Sequence, residues 1–268
     1  MSTSGKAIRD SAVVTHRNLI TIARQPDLAF GATVQPLMFV LLFAYVFGGS
    51  LGGGAYREFL IAGIFAQTVA FNAAFTTIGM ANDLQKGIID RFRSLPMSRI
   101  AVILGRTMSD LVLSAVTLVV MAVCGLIVGW RIRGSLADAV LGFVLLLLLL
   151  FAFAMSWVGA TVGLMARSVE VAQSAGLIWL FPFTFISSAF VSAASLPGPL
   201  RFIAEWNPVT AAAAAARELF VNQAPPGFAV STGWAAQHAV LYAALSSVVI
   251  IAVFMPLAVA KYRGVASR

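Results

Sequence analysis

Charge is what this 268-residue sequence most lacks. Acidic and basic side chains make up only 10% of it, against roughly 25% in soluble domains. Hydrophobic types fill 60%, and the mean hydropathy is +0.93. A soluble fold needs more polar cover than this composition supplies, which excludes a soluble enzyme, a nucleic-acid binder and a disordered chain. Cysteine is almost absent: Cys124 stands alone in an apolar run, so no intrachain disulfide forms. The two histidines, His16 and His238, are isolated from each other, and for each a proton-handling or ligand role stands against a plain structural one. Catalytic signatures are missing too. The only Gly-Lys pair, Gly5-Lys6, is followed by alanine, so the sequence holds no P-loop for ATP. It holds no H-E-x-x-H, paired-cysteine or nucleophile-elbow pattern either. No acid lies in the middle of an apolar run, where ion-coupled carriers keep one. Residues 1–28 carry four Lys/Arg and no long apolar core, so no cleavable leader is expected, and the first span serves as its own insertion signal.

Long apolar runs are what the sequence has instead. A membrane-crossing helix needs about 20 mostly apolar residues, and six segments qualify: Ala29–Phe47, Phe59–Ala81, Thr107–Gly129, Ala139–Met165, Val171–Ala194 and Ala239–Val259. A β-barrel would alternate in polarity, whereas Val144–Phe153 contains no polar residue. The expected fold is therefore an all-α polytopic membrane protein. Six spans put both termini on one side. Thirteen of the eighteen Lys/Arg fall on that side, and only Arg57, Arg131, Arg133, Arg201 and Arg217 on the other. The positive-inside rule then places both termini in the cytoplasm. The expected organisation is a cytoplasmic N-terminus over 1–28, a six-span domain over 29–259 and a cytoplasmic tail over 260–268.

The connecting segments carry their own patterns. Ile8, Ala12, Thr15, Leu19 and Ile22 recur at helical spacing, with Arg9, Arg17 and Arg24 opposite. This predicts a helix lying in the membrane interface and ended at Pro26. In the loop 82–99, Leu84, Ile88, Phe92 and Leu95 form one stripe, and Asp83, Lys86, Asp90 and Arg93 another. A short amphipathic helix over Asp83–Leu95, stopped by Pro96, is predicted. Its mixed charge suits a protein partner better than anionic lipid, which favours nearly pure Lys/Arg. The long loop 195–237 is cut by Pro197, Pro199, Pro208, Pro225 and Pro226. Asn207-Pro208 reads as an N-cap and first helical residue ahead of the run Ala211–Ala216. A pair of short helices dipping into the outer leaflet is expected, as part of an exit path or as a packed cap.

At membrane depth the polar features are uncharged. Gln35 stands beside Pro36, and span two carries Gln67, Thr68, Asn72 and Thr76, of which the last three share a face at i, i+4, i+8. Span five contains Trp179, Phe181 and Phe185. Together these are candidates for lining a cavity for an amphipathic substrate, against the alternative of ordinary interhelical packing. Arg106 and Asp110, four apart at the end of span three, are expected to pair. Gly125/Gly129 and Gly159/Gly163 are G-x-x-x-G pairs that permit close helix contact.

The run Asp90-Arg-Phe-Arg-Ser-Leu-Pro-Met-Ser-Arg99, continuing to Gly105-Arg106, resembles the cytoplasmic-loop signature of ABC type-2 permeases, with Gly87 and Pro96-Met-Ser-Arg99 at its landmarks. It is most similar to the daunorubicin/doxorubicin-resistance type. Leu196-Pro197, Asn207-Pro208, Thr210 and Arg217 resemble the pattern before that family's last span. The resemblance implies a permease that is not itself an enzyme and binds no cofactor, exporting amphipathic drugs, antibiotics or lipids. Two permease copies, identical or paralogous, would form the channel in a bacterial plasma membrane. Separate ATPase subunits would hold ATP and Mg²⁺. It further implies that Asp83, Lys86, Asp90, Arg91 and Arg93 belong to a coupling helix seated on the ATPase. An exporter of lipid-linked polysaccharide shares this architecture. An ATP-independent carrier or a structural membrane subunit is the reading from another class.

Overall fold

The computed structural model describes residues 3–24, 26–47, 53–88, 99–145, 148–222, 224, 228–229 and 231–265. Every regular element among them is helical: a 3₁₀ turn at Ala193–Ser195 and eleven helices. In chain order these are α1 (Thr3–Arg24), α2 (Pro26–Leu42, continued by a π turn Phe43–Phe47), α3 (Gly53–Gln85), α4 (Arg99–Val128), α5 (Leu136–Val140, continued by a π turn Leu141–Leu145), α6 (Leu148–Met165), α7 (Val169–Phe185), α8 (Gly198–Glu205), α9 (Pro208–Phe220), α10 (Trp234–Gln237) and α11 (Ala239–Val265).

Three of these, Gly54–Gln85, Ile100–Val128 and Ala239–Gly264, are long and apolar enough to cross a membrane. Val34–Val46, Leu149–Met165 and Val169–Phe185 are shorter apolar helices. The apolar window of α3 is 94% buried inside the protein, against 39% for α4 and 17% for α11. Helix α3 is therefore the axis of the fold, and the others wrap it.

Local chemistry explains where several helices begin and end. Pro26 opens α2 because its ring cannot extend the hydrogen bonding of α1. Ser135 and Asp138 form a reciprocal capping box at the start of α5. Asn207 caps α9, its side chain accepting the Val209 N–H at 2.8 Å, with Pro208 at the first helical position as the sequence predicts. The ends of three apolar segments differ from the hydropathy reading. Helix α3 continues past Ala81 to Gln85, and α11 runs past Val259 to Val265, so the start of the expected tail is helix. Helix α7 stops at Phe185 rather than Ala194: Pro182 lies inside it, and Asn207 Nδ2 donates to the carbonyls of Phe183 and Ile186 at 2.6 and 2.8 Å.

The closest helix contact is between α3 and α6. A Cβ on Gly159 would overlap the Ala73 carbonyl oxygen, and one on Gly163 would sit 2.5 Å from that of Thr77. Thr77 Oγ1 donates across this contact to the Gly159 carbonyl at 3.1 Å. Of the two predicted glycine pairs only this one packs two helices so closely. Gly129 instead takes φ +103° just past the end of α4, and Gly125 faces Trp130 and Ile61. At the α9 end of the bundle, Arg133 forks onto Glu58 with contacts of 2.9–3.2 Å, and Trp130 Nε1 donates to Asn222 Oδ1 at 2.7 Å.

Gly159→Ala should force α3 and α6 apart and cost about 1–3 kcal/mol, as overpacked cores do. Gly176→Ala, whose new Cβ would meet its nearest neighbour at an ordinary 3.6 Å, should be close to neutral. Thermal unfolding of both variants in detergent, followed by near-UV circular dichroism, checks the contrast.

Candidate functional site

Two groups of residues merit a functional reading, one at the end of the bundle where α3 finishes and one halfway along it. At the first, α1 lies against the start of α4. Gly105 allows this: a Cβ there would meet Val14 Cβ at 2.6 Å. Thr15 Oγ1 donates to the Gly105 carbonyl at 3.2 Å, and Asn18 Nδ2 to Ser109 Oγ at 3.2 Å. The face of α1 turned into the protein is Ser11, Val14 and Asn18, while Ala12 of the predicted apolar stripe is exposed. Small polar residues make the contact because they hydrogen-bond to α4, which a stripe counted on hydrophobicity does not register.

Among the described residues, Arg17, Asp83, Arg106 and Asp110 form an ion cluster that joins α1, α3 and α4. Arg106 Nε lies 3.5 Å from Asp110 Oδ2, its Nη1 lies 3.7 Å from Asp83 Oδ2, and Arg17 Nη2 lies 3.6 Å from Asp83 Oδ1. The Arg106–Asp110 pair is therefore present as the sequence predicts. Two further members, Arg17 and Asp83, come from other elements. Gly79 makes room for the Arg106 guanidinium on the surface of α3, where Nη2 reaches the Phe75 carbonyl at 3.4 Å.

This arrangement corrects the predicted helix Asp83–Leu95 at its start. Asp83 sits in the last turn of α3, with its carboxylate turned onto Arg17 and Arg106. The chain turns at Lys86-Gly87, where Gly87 takes φ +64°, a conformation that glycine adopts at little cost. Lys86 is exposed. Asp90, Arg91 and Arg93, with the rest of the predicted helix beyond Ile88, lie outside the described residues.

The second group is a groove between α2 and α3 that collects three of the predicted pathway residues. Gln35, Gln67 and Asn72 line it with Phe39, Phe71 and Phe75. Its open space is about 20 Å³, room for one water. Asn72 Nδ2 donates to Ser114 Oγ at 3.0 Å, and Thr68 Oγ1 to Met121 Sδ at 3.3 Å. Gln67 differs: it is 3% exposed, and neither of its amide atoms has a hydrogen-bond partner among the described residues.

Phenylalanines extend from this groove. Phe71 meets Phe181 edge-on at 5.4 Å, Phe181 stacks on Phe185 at 5.6 Å, and Phe185 meets Phe190 at 5.4 Å. Phe190 stacks on Phe43 of the π turn at 4.7 Å. Trp179 and Thr76 do not line the groove. Trp179 packs on Phe183, and Thr76 faces Gly159 across the α3–α6 contact. A heptad-like count places Thr76 correctly beside Asn72 but does not say which helix that side of α3 meets.

The sequence reading gave no structural role to Arg217, the most enclosed cation of the described residues. Its Nε donates to the Phe59 carbonyl at 2.9 Å, and its Nη2 to those of Ser188 and Ala189 at 2.8 and 3.0 Å. The Phe59 ring covers the guanidinium at 3.6 Å. Gly63 provides the space, since a Cβ there would overlap the Ala189 carbonyl and crowd Arg217.

Comparison with known proteins shows the family. The sequence pattern of the ABC-2 type transporter family matches residues 11–221. The chain belongs to the ABC-2 type transporter family. A daunorubicin resistance ABC transporter permease, DrrB1 of Streptomyces coeruleorubidus, is 32% identical over 218 residues, covering 80% of this chain and 76% of its own. A probable doxorubicin resistance permease of Mycobacterium tuberculosis, DrrC, is 26% identical over 217 residues, or 78% and 76% of the two chains. A putative transport permease, ycf38 of Porphyra purpurea, is 24% identical over 230 residues, or 82% and 76%. ABC-2 permeases are transport subunits that are not themselves ATPases and normally work with an ABC ATPase. All four ion-cluster residues and the whole groove fall inside the family match.

The ion cluster should couple unevenly. In double-mutant cycles on thermal stability, Asp83→Asn with Arg106→Gln should show an interaction of about 1 kcal/mol or more. Asp83→Asn with Arg17→Gln should show less than about 0.5 kcal/mol, because the Arg17 side chain is 40% exposed and water screens the pair.

Proposed function

We propose that the chain is the transmembrane permease of an ATP-driven exporter of amphipathic drugs, antibiotics or lipids. The observation that carries this reading is the 32% identity to a daunorubicin resistance permease over four-fifths of the chain. In this reading the six apolar segments cross a bacterial plasma membrane with both termini in the cytoplasm, as the distribution of Lys and Arg favours. Helices α8 and α9 re-enter the outer leaflet, where irregular backbone survives only against protein or water. A second permease copy completes the channel, and two ABC ATPase subunits hold ATP and Mg²⁺.

The loop 82–99 seats on the ATPase, through Lys86, Asp90, Arg91 and Arg93 and beside Asp83. ATP binding draws the two ATPases together and pulls on that loop. The loop joins the end of α3 to the start of α4, and the cluster Arg17–Asp83–Arg106–Asp110 ties both helices to α1, so the pull moves three helices as one body. The groove with Gln35, Gln67 and Asn72, and the phenylalanines Phe181 and Phe185 beyond it, face the substrate when the halves separate. Thr76 and Trp179 support the wall from behind. Transport requires that nucleotide and substrate each favour one access state over the other.

Affinity purification of the tagged chain from native membranes should recover a P-loop ATPase in stoichiometric amount. Asp90→Arg with Arg93→Glu should remove most of it and abolish drug-stimulated ATP hydrolysis in proteoliposomes while expression holds. An unchanged ATPase yield and rate would overturn the coupling assignment. Within the permease, Gln67→Leu should change which drugs stimulate hydrolysis, and an identical drug profile would assign the residue to packing.

A further inference from the structure

A further cavity lies away from both groups above, at the α9 end of the bundle. It encloses about 420 Å³, within the range of small-molecule pockets. One wall is a single face of α9, from Thr210 through Ala214 to Glu218. Ala229, Ser231, Gly233 and Trp234–Ala236, Trp206 and the turn after α7 close the rest, and Phe59 reaches in from α3.

The polar atoms around this space are unequally committed. Arg217, the one cation in the wall, has its Nε and Nη2 spent on backbone carbonyls, and its flat face is covered by Phe59. Asn222 is likewise spent, accepting from Trp130 and donating to the Arg131 carbonyl. Ser192 is bonded to the Ala229 carbonyl. What is left over is carboxylate. Glu205 takes both the Arg201 and Ser231 bonds, at 2.8 and 3.1 Å, on Oε1, and Oε2 has no bond among the described residues. The Arg201 hydrogen bond holds the Glu205 carboxyl below the usual glutamate range, so it is ionised at neutral pH. Glu218 is exposed, and its carboxylate has no hydrogen bond or ion pair among the described residues. Two indoles complete the wall: Trp206 and Trp234 are each 47% exposed and stand edge-on to Tyr242 at 5.5 and 6.2 Å, and Trp234 carries the His238 ring stacked on one face at 5.1 Å.

Unspent carboxylate oxygens beside half-exposed indoles, with an apolar lining of alanines, form the chemistry that holds an organic cation. The wall's one guanidinium is bonded through all three nitrogens, Nη1 reaching Ser188 Oγ at 3.4 Å, so it offers an anion less than the two carboxylates offer a cation. We infer that this cavity is a binding site for amphipathic organic cations, held by Glu218 and Glu205 and by the faces of Trp206 and Trp234. The assignment of the cavity to the exit side rests on the export reading; the binding itself does not.

The test is equilibrium binding of radiolabelled tetraphenylphosphonium to the purified full chain in phosphatidylcholine nanodiscs, with empty nanodiscs subtracted. Tetraphenylborate, of the same shape and opposite charge, is the competitor. The expected result is one saturable site per chain that tetraphenylborate does not block. Glu218→Gln and Trp234→Ala should each weaken binding about tenfold, and Trp234→Phe should restore most of it. Glu170→Gln, on an acid at the start of α7 and outside the cavity lining, should leave binding unchanged. Binding that does not saturate, equal competition by tetraphenylborate, or no effect of Glu218→Gln and Trp234→Ala would overturn the site. Failure of the ATPase to co-purify would overturn the export reading and leave this result standing.

Discussion

Everything in this fold depends on how closely other helices can approach α3. A helix enclosed on nearly all sides must bury its own polar groups and admit its neighbours' backbones, and small residues permit both. Gly159 and Gly163 bring α6 against it, with Thr77 bonding across the contact. Gly63 and Gly79 do something less usual: each leaves space on α3 for an arginine from another helix. Arg217 occupies one and Arg106 the other. The two glycines are separated by 16 residues of continuous helix (79 − 63), or about 24 Å of rise. Each arginine is fixed differently. Arg106 is held mainly by carboxylates, and Arg217 by carbonyls and a ring. A buried guanidinium is tolerable only with such partners, since an unpaired charge in a low-dielectric interior is very costly.

The two ends therefore differ in what can be altered. The carboxylate-bound arginine sits where the chain leaves for the loop 82–99, and its partners come from α3 and from its own helix α4, with Arg17 of α1 joined through Asp83. The carbonyl-bound arginine fixes the short helix α9 to α3 and to the turn after α7. Between them, the groove around Gln67 keeps an unbonded amide in a place with room for a single water. An amide left that way loses hydrogen-bonding free energy, and any ligand or water that restores its bonds recovers it.

Much of this was legible in the sequence. Hydropathy alone locates the apolar helices, and Asn207-Pro208 marks the start of α9. The Gly159/Gly163 pair and the Arg106–Asp110 pair are readable as spacings, because both partners of each lie on one helix. Features that depend on two distant segments were not readable. Nothing in the order of residues says that Asp83 meets Arg17, or that the buried face of α1 is Ser11, Val14 and Asn18. Arg217 left no side-chain signal, since its hydrogen-bond partners are mostly backbone carbonyls that every sequence possesses. Helix ends went astray for a related reason. A hydropathy window reads the solvent a segment prefers, whereas α7 ends where Pro182 and the Asn207 amide intervene, and α3 and α11 continue for as long as their backbones stay hydrogen-bonded.

The composition of the ion cluster has a further bearing on how the molecule meets its surroundings. Its members differ in how far they stand from water: the Arg106 and Asp110 side chains are 20% and 5% exposed, and that of Arg17 is 40% exposed. Dissolved ions act within about 8–10 Å at physiological ionic strength and screen exposed charges far more than buried ones. Added salt should therefore loosen the tie from α1 to Asp83 before the tie between α3 and α4, so the hold on α1 is the one the ionic medium sets.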